Sequence, residues 1–406
     1  MYDVVIVGAG ASGLVTAIVS ARRGKKVLIL EKNNKVGKKL LATGNGKCNI
    51  TNHRPTIERF HSENPKFIRE VLQDYGYQEI KQFFKSIGLE LIEAKEGKVF
   101  PMSLQASCVV ELLQWECEQL GVKIIFDATV KKITYKKCSF VVIYNERRVE
   151  SKKVVIATGH CSAPQLGGVI DGIGFARAFK HTIVKSFPTL VQLTSPYKES
   201  YLKRMAGVKV EGRVTLKVGD NYIQKQGDIL FTNYGISGLA ILDISRAVIV
   251  ELSKKKTIML TIDLMPKMSY EQLLALMRKS LLKKSSKPLE IWMQGFINKK
   301  LIDPILEPLK LKNKTIGSIS SNLHHLELIV KKIKSFSFEV NGHKGYKGAE
   351  VATGGVDTRE IETQTMESKK QKNLYFTGEV LDVDGDRGGF NLHFAWVTGI
   401  RAGEAI

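Results

Sequence analysis

The N-terminal stretch, residues 1–31, alternates between apolar runs and a polar, glycine-rich segment. Residues 3–7 and 26–30 are short, β-branched apolar runs of the kind typical of buried strands. Between them, the apolar residues from Leu14 onwards predict a helix that Gly24 ends. This order of strand, glycines, helix and strand predicts a βαβ unit at the start of the chain.

The glycines of this unit have the spacing of a dinucleotide-binding fingerprint. Gly8 permits a tight turn, Gly10 lets the backbone approach a pyrophosphate, and Gly13 lets helix and strand pack closely. The helix N-terminus offers free N–H groups to phosphates, and Glu31 can accept hydrogen bonds from ribose hydroxyls. The alternative is an ordinary glycine-rich turn. The complete strand, helix and acid context favours the dinucleotide site.

Helical and strand patterns continue up to about residue 189. Helical spacing of apolar residues predicts one helix over residues 65–87, and Ser107 is the predicted N-cap of another helix that ends near residue 120. Residues 153–159 predict a buried strand. It ends in residues small enough to pass beneath a dinucleotide, namely Ala157, Thr158 and Gly159.

The character of the chain changes near residue 190. Residues 190–260 alternate as strands do, residues 269–334 are helical and densely basic, and the last part of the chain is again rich in glycine. We therefore predict an α/β fold with a discontinuous Rossmann-like domain, residues 1–189 and 346–406. Residues 190–345 then form an inserted domain that is β-rich and helical.

A second glycine-rich stretch, Gly172-Ile173-Gly174, does not repeat the fingerprint, because no strand precedes it. It is interpreted as a helix entry with Asp171 as a candidate N-cap. The sequence therefore predicts one dedicated dinucleotide site.

Composition narrows the class of protein. With 406 residues, 43% of them hydrophobic, the chain can bury a large core. No run of eighteen apolar residues occurs, so no membrane span is expected, and a strand at the N-terminus leaves no room for a signal peptide. Five scattered cysteines without a Cys-x-x-Cys pair suggest neither disulfides nor a metal site, and favour the reducing cytoplasm.

The net charge of +22 is unusual for an enzyme of small metabolites. Such a field favours anionic partners, of which nucleic acid is the commonest, although a lysine-rich proteome would give the same composition. Both interpretations stay open. If the partner is RNA, the basic residues of the insert should contact its phosphates, among them Lys283, Lys284, Lys299, Lys300, Lys310, Lys312, Lys314, Lys331 and Lys332.

A polar loop follows the ribose-binding acid. Residues 40–52 are rich in Gly, Asn and Thr and lack periodicity, which suits close approach of the backbone to a ligand. Lys38, Lys39 and Lys47 would then lie near the pyrophosphate. The alternative is a solvated surface loop.

Three motifs together resemble the YhiN/BaiN, or aminoacetone-oxidase-like, family of bacterial flavoproteins over essentially the whole chain. Residues 44–52, Gly-Asn-Gly-Lys-Cys-Asn-Ile-Thr-Asn, resemble the first signature of that family, and residues 378–382 with 388–392 resemble its C-terminal one. Residues 231–238 resemble a third motif. In that motif Asn233 occupies the position of a histidine and Leu239 that of a proline, which puts in doubt any acid–base role of the motif histidine.

The resemblance implies that the discontinuous domain binds FAD. Glu379 is then expected to reach the ribityl chain, Val130 to approach the adenine, and the helix that begins near Gly389 to face the flavin. The expected FAD contacts are Gly8, Gly10, Ala11, Ser12, Gly13, Glu31, Lys32, Lys39, Thr43, Gly44, Asn45, Gly46, Cys48, Asn49, Val130, Ala157, Thr158, Gly159, Gly378, Glu379, Asp386, Gly388, Gly389, Phe390, Asn391 and Leu392.

The activities of the family are heterogeneous: reduction of conjugated C=C bonds in steroid-like substrates, oxidation of aminoacetone, and dihydrouridine formation in 23S rRNA. The charge favours an RNA-modifying reductase; a small-molecule flavoenzyme and a non-catalytic flavin-binding protein are the alternatives. NAD(P)H, lacking its own fingerprint, is expected to act as a transient reductant. Candidate proton donors are Cys48, His393 and Lys47, although the stronger interpretation of Cys48 is a small buried residue that packs a tight loop.

Overall fold

A computed structural model describes residues 1–281 and 285–406. Lys283 and Lys284, two of the lysines expected to contact RNA, lie outside the described residues. The chain divides into two compact units, one formed by residues 1–188 and 349–406 and the other by residues 189–348. These limits differ by one to three residues from those predicted.

The described residues form fourteen α-helices and twenty-three strands. The helices are α1 (Ala11–Arg22), α2 (Pro65–Leu72), α3 (Tyr77–Ser86), α4 (Ala106–Gln119), α5 (Asp171–Ala178), α6 (Glu199–Met205), α7 (Leu239–Leu252), α8 (Tyr270–Lys279), α9 (Leu289–Met293), α10 (Lys299–Leu306), α11 (Ile316–Ser320), α12 (Leu323–Lys334), α13 (Gly345–Gly348) and α14 (Phe390–Ala405). The strands are β1 (Tyr2–Val7), β2 (Val27–Leu30), β3 (Thr51–Asn52), β4 (Phe60–His61), β5 (Leu91–Glu93), β6 (Lys98–Pro101), β7 (Lys123–Ile125), β8 (Val130–Lys136), β9 (Ser139–Tyr144), β10 (Arg147–Ile156), β11 (Ile183–Val184), β12 (Pro188–Thr189), β13 (Leu193–Thr194), β14 (Lys209–Val218), β15 (Asn221–Phe231), β16 (Gly235–Ser237), β17 (Ile258–Asp263), β18 (Phe336–Val340), β19 (Gly342–His343), β20 (Val351–Ala352), β21 (Gly355–Val356), β22 (Leu374–Phe376) and β23 (Asp384–Gly385).

The first unit is built on a parallel sheet in which β7, β2, β1, β10 and β22 are neighbours in that order. The N-terminal half of β10 pairs instead with β9, which pairs with β8, so that an antiparallel meander feeds into the parallel sheet. The central strands are buried on both faces, which explains their unbroken apolar sequences. The predicted Rossmann-like α/β fold is confirmed.

Two helices from opposite ends of the sequence pack against each other in this unit. At Gly399 of α14 a Cβ atom would lie 2.7 Å from the carbonyl oxygen of Ser12 in α1, and at Gly403 it would lie 2.6 Å from the Cβ atom of Val19. Glycine is therefore what permits this approach. It brings the C-terminal segment beside the N-terminal fingerprint.

The second unit contains a seven-stranded antiparallel sheet with the order β18, β17, β14, β15, β16, β13 and β19. Its long hairpin joins β14 to β15 with ten paired residues in each strand, and α7 packs against both. Phe231, Phe336 and Phe338 are buried and make edge-on ring contacts in its core. This unit also contains helices α8 to α12.

Several predicted helices differ from the observed ones. The single helix expected over residues 65–87 is two helices, because Gly76 adopts an extended conformation and caps the second one. Ser107 is not an N-cap, because α4 begins at Ala106 with Gln105 in the N-cap position, so Ser107 lies inside the helix. Asp171 is the first residue of α5 rather than its cap. Apolar spacing runs through such breaks, so periodicity alone does not reveal them.

Within residues 1–281 and 285–406, no helix is both long and apolar enough to cross a bilayer. The same residues bring together no group of His, Cys, Asp and Glu suited to a metal ion.

The contact between α1 and α14 predicts a large effect of a single methyl group. Gly399→Ala should lower the free energy of unfolding by about 1–3 kcal/mol, because the new Cβ atom meets the rigid backbone of Ser12. Gly174→Ala is the matched control: Gly174 lies in α5 with no atom within 4 Å of the added Cβ, so this change should be neutral or stabilise by roughly 0.5–1 kcal/mol. Urea unfolding of both variants tests this. Equal free energies of unfolding for the two variants would show that α14 can move away from α1 at little cost.

Candidate functional site

Four of the predicted ligand-binding segments follow directly after parallel strands. The glycines begin after β1, Glu31 follows β2, Ala157 follows β10, and the segment from Thr377 to Glu379 follows β22. Parallel strands have their carboxyl ends at one edge of the sheet, which is where ligands bind in open α/β folds. The fold therefore brings these segments to one edge.

Each fingerprint glycine has a different reason to lack a side chain. A Cβ atom at Gly8 would lie 2.6 Å from the carbonyl oxygen of Ala157, and one at Gly13 would lie 2.1 Å from that of Gly8. At Gly10, by contrast, no atom lies within 4 Å of such a Cβ. The space beside Gly10 is therefore open, at the start of α1 where Ala11 and Ser12 present the positive end of the helix dipole.

Glu31 is buried, and protein donors hold its carboxylate. Its Oε2 accepts a hydrogen bond of 2.7 Å from the backbone N–H of Ala9, and its Oε1 accepts hydrogen bonds from the backbone and side-chain nitrogens of Asn33 at 2.8 and 2.6 Å. The negative charge thus lies beside the fingerprint turn. The Ala128 N–H donates to the Glu31 carbonyl at 2.8 Å, which places the segment leading to Val130 alongside.

Lys39, Ser162 and Glu379 form a connected polar cluster. The Lys39 ammonium lies 2.7 Å from Glu379 Oε2 and 2.6 Å from the Ser162 hydroxyl, which donates to Glu379 Oε1 at 2.8 Å. Burial raises the pKa of Glu379, but Lys39 and Ser162 outweigh burial and hold that pKa below its usual value. The carboxyl group of Glu379 is therefore ionised. Lys32, by contrast, lies at the surface and pairs with Asp171 at 3.6 Å.

The loop of residues 40–52 is compact rather than irregular. It contains a short 3-10 helical segment, Leu40–Gly46, in which Gly44 and Asn45 adopt left-handed conformations with φ of 57° and 55°. The Thr43 hydroxyl donates to the Leu40 carbonyl at 2.7 Å, and Asn49 Oδ1 accepts from the Val99 N–H at 3.3 Å. Asn45, Gly46 and Lys47 are exposed.

This loop is fastened to the N-terminus of α14. The Asn52 side chain donates to the Gly388 carbonyl at 3.1 Å, and the Trp396 indole donates to the Ile50 carbonyl at 2.8 Å. Gly389, with φ of 99°, lies so close to Thr51 that a Cβ atom would be 2.4 Å from its carbonyl oxygen. The first and the C-terminal family signatures are thus in direct contact.

The turn before α14 is fixed by its own side chains. Asn391 donates to the Gly385 carbonyl at 2.7 Å and accepts from the Gly385 N–H at 2.8 Å. Asp386, expected to contact FAD, lies 2.8 Å from Arg59 Nε and 2.9 Å from His61 Nε2. Phe390 is buried against Phe60. Among residues 388–392, Gly389, Asn391 and Leu392 are the ones that remain partly exposed.

Cys48 and His393, two of the candidate proton donors, are enclosed by protein. Cys48 is 0% exposed, and burial raises the pKa of its thiol to about 12. His393 is also 0% exposed; its Nδ1 accepts from the Thr51 hydroxyl at 2.8 Å and its Nε2 donates to the Tyr75 carbonyl at 3.1 Å. Neither side chain has an atom free to meet a substrate. The structure therefore argues against catalysis by these two residues and for a packing role.

Sequence reasoning missed two members of this region. Ser162 bonds to both Lys39 and Glu379, and Thr377 contacts Ser12 through a 3.1 Å hydroxyl hydrogen bond. Each lies close behind a buried strand, and that position was the available signal. Which partner each hydroxyl finds depends on contacts between distant parts of the chain.

The residues at this edge fit a dinucleotide with a flavin. Open space beside Gly10 and the start of α1 suit a pyrophosphate, the fixed carboxylates of Glu31 and Glu379 suit hydroxyl-bearing groups, and the turn at Gly389 exposes a helix N-terminus. This fold and site define the class of FAD-dependent oxidoreductases. The chain belongs to the family of HI0933-like proteins, whose Rossmann domain it matches over residues 2–405. The predicted kinship with YhiN/BaiN proteins is confirmed.

Similar proteins cover nearly the whole chain. It is 35% identical to the 3-dehydro-bile acid delta(4,6)-reductase of Clostridium scindens, over 100% of this chain and 99% of that one. It is 32% identical to the ribosomal RNA dihydrouridine synthase of Haemophilus influenzae, over 99% and 98% of the two chains. The solved 3-ketosteroid delta1-dehydrogenase of Sterolibacterium denitrificans is 11% identical, with a TM-score of 0.53 over 99% of this chain and 98% of that one, which shows a shared fold.

The open space at Gly10 predicts that Gly10→Asp yields a folded but colourless protein. Gly10 has φ of −82° and ψ of −168°, a conformation open to any residue, so the change should leave folding intact and set a carboxylate against the pyrophosphate. Gly174→Asp is the control, because it adds the same group at another open position of this unit. Circular dichroism and flavin absorbance of the purified proteins give the answer. Wild-type FAD content in Gly10→Asp would contradict this assignment of the site.

Burial of His393 predicts a pH dependence of stability. Its pKa is lowered to about 4 in the folded protein by burial, whereas the unfolded value is near 6.5. As the pH falls, the unfolded chain therefore binds the proton before the folded protein does. The stability that the neutral, buried imidazole contributes is complete above pH ~6.5 and is lost as the pH falls towards ~4. Between pH ~7 and ~5 the advantage of the wild type over His393→Gln should shrink by roughly 2 kcal/mol. An advantage independent of pH in urea unfolding would instead show that folding leaves the pKa of His393 unchanged.

Proposed function

We propose that the protein is an FAD-dependent reductase of a C=C bond conjugated to a carbonyl group, and that its favoured substrate is uridine in 23S rRNA. The names of both kinds of relative support this chemistry. Dihydrouridine is uridine with the ring double bond saturated, and delta(4,6) denotes double bonds in a 3-oxo steroid. In each case a double bond next to a carbonyl receives two electrons and two protons.

The uneven distribution of charge between the two units is the observation that supports RNA as the substrate. Residues 189–348 contain 27 Lys and Arg against 13 Asp and Glu, whereas the longer first unit contains 35 against 27. A lysine-rich proteome would make both surfaces basic to a similar degree. An excess concentrated in one unit instead supports a polyanionic partner for that unit.

FAD, when bound, exchanges a hydride with an organic substrate. The chain would hold its pyrophosphate at Gly10 and the start of α1, its adenosine ribose at Glu31, and the ribityl chain at Glu379, which Lys39 orients. The N-terminus of α14 would supply backbone N–H groups that favour negative charge on the flavin ring. Lys47, the exposed member of the three candidate proton donors, would supply the proton.

NAD(P)H is proposed as a reductant that binds transiently. The stretch around Gly172 gives no reason to propose a second site, because a Cβ atom there would lie 2.1 Å from the Thr158 hydroxyl and packing explains the glycine. That glycine serves the packing of α5 against the sheet. NAD(P)H would therefore bind transiently at the flavin face, or another donor would take its place.

A small-molecule flavoenzyme is the second candidate. The observation that favours it is the 35% identity to the bile acid reductase, which exceeds the 32% and 30% identities to the two rRNA dihydrouridine synthases of Haemophilus influenzae and Escherichia coli. Its substrates would be enones, or amino ketones of the aminoacetone type.

Dihydrouridine mapping of 23S rRNA separates the two candidates. Cells with the gene should contain a dihydrouridine that cells without it lack, and the wild-type gene should restore it. Gly10→Asp should fail because it lacks FAD, and Lys47→Gln should fail while it keeps FAD if Lys47 supplies the proton. Identical profiles with and without the gene would refute the RNA substrate, and enones and amino ketones would then be the substrates to try.

A further inference from the structure

A surface groove of the second unit combines aromatic rings with cations. It has a volume of about 460 Å³, which falls in the range of roughly 300–1,000 Å³ found for ligand pockets. Residues 197–204, around α6, form one side, and residues 332–337, at the end of α12 and in β18, form another. The aromatic and basic residues that line the groove are Tyr197, Lys198, Tyr201, Arg204, Lys332 and Phe336.

The two tyrosines are held in place. Their ring centroids lie 5.3 Å apart at an interplanar angle of 74°, and Tyr197 also contacts the buried ring of Phe338 at 5.5 Å. The Tyr197 hydroxyl accepts a hydrogen bond of 3.1 Å from the Glu339 N–H. Both side chains are half-buried, so each ring keeps part of its surface in the groove without freedom to turn.

Two cations lie over aromatic rings of the groove. Arg204 lies over the Tyr201 ring at 4.9 Å and pairs with Glu307 at 2.7 Å, and Lys332 lies over Phe336 at 5.7 Å. In the part of the chain that the structure describes, neither Lys198 nor Lys332 forms an ion pair. Arg204 is thus already paired with a carboxylate, whereas the ammonium groups of Lys198 and Lys332 remain for an anion.

We propose that this groove is a subsite for unpaired nucleotides of single-stranded RNA, an inference that rests on the function proposed above. A base would stack on the exposed face of Tyr201 or Tyr197, and Lys198 and Lys332 would contact the flanking phosphates. Stacking platforms beside a basic track are how proteins hold single strands without reading their sequence. A reductase of uridine needs such a hold, because the target base must leave its stack.

The test measures binding of a fluorescein-labelled oligouridine of about 12 nucleotides to the FAD-loaded, full-length protein by fluorescence anisotropy, without reductant. Tyr201→Leu should weaken binding roughly 10-fold, because leucine fills the space but offers no aromatic face, and Tyr201→Phe should bind as the wild type does. Tyr222→Leu is the matched control. Tyr222 is 63% exposed on β15 with Lys217 at 5.8 Å from its ring, outside the groove, and its loss should leave affinity unchanged.

A charge variant gives an independent readout. Lys332→Gln should reduce the slope of log affinity against log salt by about 0.7, the value for one phosphate of a single strand. Unchanged affinity in Tyr201→Leu together with an unchanged slope in Lys332→Gln overturns the subsite, and so does equal weakening by Tyr222→Leu. Because binding is measured without turnover, these results are independent of the rRNA map. If the groove variants leave RNA binding unchanged but the dihydrouridine signal depends on the gene, only the groove proposal is refuted. If the groove variants weaken binding but the signal does not depend on the gene, only the rRNA substrate is refuted.

Discussion

The site depends on the close contact between two helices that lie almost four hundred residues apart in sequence. Gly399 and Gly403 let α14 approach α1, and the Ser12–Thr377 hydrogen bond joins the fingerprint to the segment after β22. The Gly378–Thr398 hydrogen bond ties that segment to α14. A side chain at Gly399 would separate the two helices and move the two glycine turns apart. A ligand that needs both turns therefore depends on small residues on the face of α14 that packs against α1.

The two carboxylates of the site are already hydrogen-bonded by the protein. The carboxylates of Glu31 and Glu379 accept five hydrogen bonds between them from the described residues, in addition to the ammonium of Lys39. Such bonds fix the carboxylates before any ligand arrives, and preorganisation lowers the entropic cost of binding. They also create a dependence. Removing Lys39 would leave the buried charge of Glu379 unpaired, which costs far more than the pair itself contributes.

How much could be predicted from the sequence depends on how far apart in the chain the interacting residues lie. The βαβ unit and its acid lie within thirty-one consecutive residues, so their roles could be inferred from spacing alone. The break at Gly76 could not, because the apolar face continues on both sides of it. The roles of Cys48 and His393 also could not, because the loop around Thr51 and the helix that encloses it lie more than three hundred residues apart. Motif identity placed both residues near the site, whereas their burial decides what they can do there.

The separation of charge between the two units has a physical cost that bears on function. Like charges repel, so an excess of 27 basic over 13 acidic residues in a unit of 160 residues lowers its own stability. The first unit, which carries the segments proposed to bind FAD, is closer to balance. A reductase of small neutral substrates gains nothing from this asymmetry, whereas a substrate with a phosphate backbone repays it through faster association and counterion release. In the proposed subsite, the groove at Tyr197 and Tyr201 would add the contact that charge alone lacks. Charge attracts any polyanion, duplex included, while a fixed aromatic face is available to unstacked bases, and uridine reduction requires that state.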